Sequence, residues 1–186
     1  SSPGRTMIQQ TFDRATATIG QGPEATFVAP ARFIAQVRSS VQAKIHAQLG
    51  LDDANIFVEP GYRNTLPAVL WAMATLRRRD PNATIAMLTS DHVIGDTPLF
   101  RRTVAEAIAI AQQRPAIVTI VINPTDQPKE WEAFGAVKAD VTRPLAGAFR
   151  MKRFEEKPTG ARPSEMIQEG GWRWNSGMYI FGIKTM

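Results

Sequence analysis

Four short stretches of the chain gather side chains whose types suit work on phosphates and hydroxyls. Glu59-Pro60-Gly61-Tyr62-Arg63-Asn64-Thr65 sets a carboxylate, a guanidinium and small polar groups directly ahead of a periodic apolar segment. If that segment is a helix, its free N-terminal amides together with Arg63 offer donors to a nucleotide. Thr89-Ser90-Asp91-His92 follows a short apolar run, and a carboxylate at a strand end can hold Mg²⁺ against phosphates. The same residues also serve as plain punctuation, with Asn64 or Thr65 as a helix N-cap and Asp91 as a turn residue. Pattern alone leaves both readings open.

The other two stretches lie nearer the C-terminus. Phe154-Glu155-Glu156-Lys157-Pro158 places acids and a cation together, and Trp174-Asn175-Ser176-Gly177-Met178 puts small polar side chains and a glycine ahead of an apolar run. A sugar phosphate calls for these types. Carboxylates and amides grip hydroxyls, an ammonium meets the phosphate, and glycine lets backbone approach the ring. The plainer alternatives are a surface ion pair of Lys157 with Glu155 or Glu156, and a tight turn. Because Pro158 follows it, Lys157 is expected to hold an extended backbone with its ammonium free.

These loops need a scaffold, and hydrophobic periodicity supplies one. Short apolar, β-prone runs at residues 26–29, 56–58, 84–88 and 117–122 read as strands buried on both faces. Amphipathic helical spacing runs from Phe33 to Leu49, from Leu66 to Leu76 and from Phe100 to Ala111. Thr97-Pro98 reads as an N-cap followed by proline at the first helical position, and Asp80-Pro81 as a helix stop. Further β-like runs at 150–154 and 178–181 flank a short helical segment, 163–169, that ends at Gly170-Gly171. The alternation implies an α/β fold, a mostly parallel sheet flanked by helices on both faces. In such a sheet ligands bind beyond the carboxyl ends of the strands, where the Glu59–Thr65 and Thr89–His92 loops fall.

Composition removes several function classes. The sequence has 186 residues, 44% of them hydrophobic, enough for one globular domain spanning 1–186. There is no cysteine and only two histidines, so thiolate chemistry, disulfides and sulfur-ligated zinc are excluded and any metal takes oxygen ligands. The net charge of +5 is spread along the chain. Its one dense run, Arg77-Arg78-Arg79, falls at a helix C-terminus that favours cations, without the aromatic platform of a nucleic-acid binder. No apolar stretch has the length of a membrane span, and the first residues lack a signal-peptide core. A cytoplasmic protein that binds neither nucleic acid nor membrane is expected, and a homo-oligomer is compatible with the sequence.

Taken in order, Glu59 to Ala68, Leu88 to Ile94, Phe154 to Pro158 and Trp174 to Tyr179 resemble the successive motifs of bacterial mannose-1-phosphate guanylyltransferases, within the sugar-1-phosphate nucleotidyltransferases. Residues 4–14 resemble that family's first helix, and Asn123-Pro124-Thr125 its turn after the long strand. The resemblance implies a Rossmann-like nucleotidyltransferase fold and transfer of GMP from GTP to mannose-1-phosphate, with Mg²⁺ and release of pyrophosphate. It implies Asp91 as the Mg²⁺ ligand, Glu59, Arg63, Asn64 and Thr65 near the nucleotide, and Gly135, Glu156, Lys157, Asn175 and Ser176 near the sugar phosphate. Asp91 and Lys157 carry the catalytic roles. It further implies a core incomplete at both ends, without the glycine-rich N-terminal loop and the C-terminal region, and therefore inactive as given. Where the family has a Tyr-Gly-Tyr sugar loop, this chain has Ala133-Phe134-Gly135-Ala136. The alternatives are another hexose-1-phosphate nucleotidyltransferase using UTP or dTTP, and an inactive nucleotide-sugar-binding regulatory module.

Overall fold

The computed structural model describes residues 4–19, 27–30, 56–59, 61, 63–145 and 147–186. In chain order the elements are α1 (Met7–Ile19), β1 (Phe27–Pro30), β2 (Ile56–Glu59), α2 (Thr65–Arg79), β3 (Thr84–Met87), α3 (Thr97–Gln113), β4 (Val118–Ile122), α4 (Pro128–Trp131), β5 (Ala136–Leu145), β6 (Ala148–Glu155), α5 (Arg162–Glu169) and β7 (Trp172–Gly182). The helix expected from Phe33 to Leu49 lies outside the described residues. None of the described helices is long and apolar enough to cross a membrane.

Local chemistry explains several helix ends. Thr6 and Gln9 form a reciprocal capping box at the start of α1, Gln9 N–H donating to Thr6 Oγ1 (3.3 Å) and Thr6 N–H to Gln9 Oε1 (3.0 Å). At α3 the cap falls one residue earlier than the sequence suggests. Asp96, not Thr97, is the N-cap, its carboxylate accepting from Leu99 N–H at 2.8 Å. A carboxylate serves that position well because the helix dipole adds to the hydrogen bond. Helix α2 ends at Arg79 with Asp80 as C-cap and the three arginines in its last turn, as expected. Gly170, at φ 61 and ψ 175, ends α5 in a region that glycine reaches without strain.

The α/β architecture is as expected, an open sheet with helices, but strand directions differ. Among the described residues parallel pairing is confined to β1 with β2, Phe27 opposite Ile56. In the five-stranded sheet, ordered β3-β7-β5-β6 with β4 also on β7, every pairing is antiparallel. The reason is the placement of β7. It inserts antiparallel between β3 and β4, so those two strands, which run the same way, never touch.

Strand alternation lets β7 serve two layers at once. Ile180, fully buried, packs with Ala107 and Ala111 of α3, while the neighbouring Phe181 packs with Met73 of α2. Helices therefore cover both faces, and α1 packs outside α3. Trp172 and Trp174 form a further core with Trp131 of α4 and Met166 of α5. Trp131 meets Trp174 edge to face, with centroids 6.0 Å apart.

Candidate functional site

The middle of β7 carries the feature that organises the site. While β4 advances from Thr119 to Val121, the partner shifts from Tyr179 to Asn175, so β7 bulges around Ser176, Gly177 and Met178. Gly177 sits at φ 73, a conformation costly for any other residue. Side chains pin the bulge. Ser176 is buried, and its hydroxyl donates to Ile120 C=O (2.6 Å) and accepts from Met178 N–H (3.2 Å). Thr119 Oγ1 stands 2.7 Å from Asn175 Oδ1 and 3.1 Å from the Met178 carbonyl. Asn175 Nδ2 donates to the Tyr179 hydroxyl at 2.7 Å. The amide of Asn175 is thus oriented at both ends.

Two further segments close on this bulge. Asn175 N–H donates to the carbonyl of Gly135 at 2.7 Å. A Cβ at Gly135 would stand 2.7 Å from Phe154 Cζ and 3.1 Å from Glu156 Oε2, so this segment passes close against the side chains at the end of β6. On the other side, a Cβ at Gly177 would lie 3.5 Å from Thr89 Cγ2, which sets the loop after β3 beside the bulge. The structure therefore brings Gly135, Glu156, Asn175 and Ser176 together and places Thr89, the first residue of the Thr89–His92 loop, beside the bulge at Gly177.

Asp91 projects into solvent, its side chain 80% exposed, with His92 Nε2 3.9 Å from Oδ1. Its loop is held from beneath. Arg14 of α1, buried, donates to His92 C=O at 3.1 Å and to Thr11 Oγ1 at 2.7 Å. Burial lowers the guanidinium pKa, though not enough to discharge an arginine. In the same loop the buried Thr89 hydroxyl has no hydrogen-bond partner among the described residues.

Backbone strain falls on the sequence-derived candidates. Among the described residues the non-glycine positions with positive φ are Asn64 (φ 67) and Lys157 (φ 45). Asn64 combines this with ψ −169, a region almost restricted to glycine, and caps α2 by position with no side-chain hydrogen bond to it. Arg63, Asn64 and Thr65 are exposed at this helix start and outside the hydrogen-bonded group around Asn175; the backbone of Glu59 ends β2, and its side chain lies outside the description.

Lys157 corrects an expectation. The following proline favours an extended backbone, but Lys157 is left-handed, because the segments on either side are fixed by tertiary contacts. Nor does it form the surface ion pair considered above. Glu155 instead accepts from Arg162 Nε (3.0 Å) and Nη2 (2.8 Å) and pairs with Arg153 Nε (2.9 Å), while exposed Lys157 has no ion-pair partner among the described residues. The bonds from Arg162 hold the Glu155 carboxyl below its ordinary range.

Sequence reasoning missed three supports of the site, namely Arg14, Thr119 and Tyr179. Thr119 gave a signal, a lone hydroxyl inside the apolar run 117–122, and Tyr179 stood at the edge of a quoted motif. Arg14 gave none, since a charged residue on a surface helix ordinarily faces water.

Known proteins share this arrangement of elements. Among curated relatives, xanthan biosynthesis protein XanB of Xanthomonas campestris pv. campestris is 34% identical over 175 residues, covering 94% of this chain and 34% of its own. Mannose-1-phosphate guanylyltransferase of Escherichia coli is 31% identical over 140 residues, covering 74% of this chain and 29% of its own. The chain therefore spans about a third of the length of the curated relatives it matches. A solved structure described as mannose-1-phosphate geranyltransferase, from Thermus thermophilus, superposes with a TM-score of 0.80 at 26% identity, over 100% of this chain and 50% of that one. The family profile described as Nucleotidyl transferase matches residues 4–186, a span that takes in α1, the Asp91 loop, the Gly135 passage and the β7 bulge alike, and the chain belongs to that family.

Proposed function

We propose that this chain forms the core of an enzyme that transfers GMP from GTP to mannose-1-phosphate, giving GDP-mannose and pyrophosphate. The observation that carries this reading is the convergence of Gly135, Glu156 and Asn175 on the β7 bulge, beside an exposed Lys157 held at positive φ. On this reading Gly135 holds Asn175 at the sugar through its carbonyl, Glu156 and Asn175 bind the sugar hydroxyls, and the Lys157 ammonium meets the phosphate. Ser176 keeps the bulge in shape from inside. Arg63, Asn64 and Thr65 offer the guanidinium and the free amides of α2 to the nucleotide, with Glu59 at the end of β2 alongside.

Asp91 suits Mg²⁺ in chemistry and exposure. Mg²⁺ is commonly held by one or two carboxylates, with substrate phosphates and water completing the shell. On this reading Asp91 supplies a carboxylate oxygen to the ion. Bound there, Mg²⁺ would supply neutralisation of charge on the reacting phosphates. Nothing in the set calls for proton transfer by a side chain. The chain's contribution is placement, which aligns the sugar-phosphate oxygen with the α-phosphate, and electrostatic stabilisation.

The test is pyrophosphate release by the full-length protein with Mg²⁺, using each nucleoside triphosphate against each hexose-1-phosphate. The expected result is release with GTP and mannose-1-phosphate in clear excess over other pairs. Preference for UTP or dTTP with another hexose-1-phosphate would move the assignment within the family. Binding of substrates with no release under any pairing would overturn it in favour of a binding module.

A further inference from the structure

We infer that Arg162 is a positioning residue that holds Lys157 in its left-handed conformation by clamping the two ends of the loop that carries it. This inference rests on the proposed role of Lys157 toward the sugar phosphate and names what maintains it. Glu155 is the last residue of β6 and Arg162 the first of α5, so the pair closes the loop between them. The closure is bidentate, with Nε and Nη2 of Arg162 at 3.0 and 2.8 Å from the Glu155 carboxylate.

The clamp is itself immobilised. Arg162 Nη1 donates to Glu165 (3.0 Å) and Glu169 (2.9 Å) of its own helix, and the guanidinium lies over the Trp172 ring at 5.3 Å from the centroid. Within the loop Pro158 is buried, which fixes the residue after Lys157. Glu156, just before it, is placed against the Gly135 passage. A left-handed lysine persists only where surrounding contacts over-determine it, and here they act from both sides.

With its nitrogens committed to three carboxylates, Arg162 is a support for the phosphate contact rather than a contact itself. Without the clamp, Lys157 relaxes to the extended backbone that a following proline favours, and its ammonium leaves the position set by the loop.

The test uses the full-length protein and combines kinetics with unfolding. Arg162→Gln is expected to raise KM for the sugar phosphate roughly tenfold, the scale of one charge-assisted contact, with KM for GTP unchanged. Arg162→Lys should recover part of this loss, and Glu155→Gln, which removes the other half of the clamp, should reproduce it. In a Lys157→Ala background Arg162→Gln should add nothing. An additive loss would mean that Arg162 binds the phosphate directly and would overturn the inference, as would unchanged KM in both clamp variants.

An arm independent of substrate separates this inference from the functional reading. Lys157→Gly relieves the strained conformation and should raise Tm by roughly 2–4 °C, a gain that should vanish in the Arg162→Gln background. Unchanged kinetics in Lys157→Ala together with that Tm coupling would sink the phosphate role and leave the clamp standing. Absence of the coupling would overturn the clamp.

Discussion

Asn175 donates its backbone N–H to the carbonyl of Gly135 at 2.7 Å, tying the β7 bulge to the segment that passes close against Phe154 and Glu156. Asn175 is also oriented through its side chain by Thr119 and Tyr179. Backbone and side chain thus register the same position from two directions.

Gly135→Ala should show how tight that passage is. The added methyl would stand 2.7 Å from Phe154 Cζ and 3.1 Å from Glu156 Oε2, so the Phe154 ring and the Glu156 side chain must move aside. A loss of about 1–3 kcal/mol in stability is expected from overpacking, along with a higher KM for the sugar phosphate. Urea unfolding and steady-state kinetics on the same preparation measure both.

Thr119→Val keeps the shape of the strand and removes the hydroxyl shared by Asn175 Oδ1 and the Met178 carbonyl. About 1 kcal/mol of stability should be lost. Freed at one end, the Asn175 amide should bind sugar hydroxyls less well, raising KM for the sugar phosphate while kcat changes little. A change in kcat alone would place Thr119 in another role.

Asp91→Asn in the full-length protein should lower turnover by roughly a hundredfold, equivalent to about 2.7 kcal/mol, through loss of a negative oxygen ligand. Folding should be nearly unaffected, because the side chain is 80% exposed. Titrating Mg²⁺ against activity and against Tm distinguishes a ligand from a structural residue. Wild-type turnover at ordinary Mg²⁺ would remove Asp91 from the site.

Acid should loosen the region around α5. Hydrogen bonding from Arg162 lowers the pKa of Glu155, and the Trp172 indole followed by Arg162 lowers that of Glu169. A carboxylate whose folded pKa is depressed contributes stability that is complete above its unfolded pKa and is lost as pH falls through the folded value. Tm should therefore fall on acidification below the ordinary glutamate range, and Arg162→Gln should flatten that fall. An equally steep acid limb in the variant would mean that other carboxylates control it.

Much of the scaffold was legible because its signals are local. The periodicity of Leu66 to Leu76 and of Phe100 to Ala111 fixes α2 and α3, and the apolar runs fix β3 and β4. Strand β5 was not legible, since Lys138, Asp140, Thr142, Arg143 and Pro144 interrupt its apolar residues. Neither was strand direction. An antiparallel β7 between β3 and β4 is decided by long-range packing of Ile180 and Phe181, which no local pattern encodes. Lys157 and Asn64 show the same limit at the candidate site. Their residue types were visible, but local preference pointed away from the backbone conformations they adopt.

The central place of β7 also governs how the molecule can be made. Thr84 pairs with Gly182 and Val118 with Ile180, so β3 and β4 wait for a segment that leaves the ribosome long after them. Such distant pairings give a high contact order and slow folding. Until residues 172–182 emerge, a nascent chain presents two apolar strands with unpaired edges, the state most prone to aggregate and most in need of a chaperone.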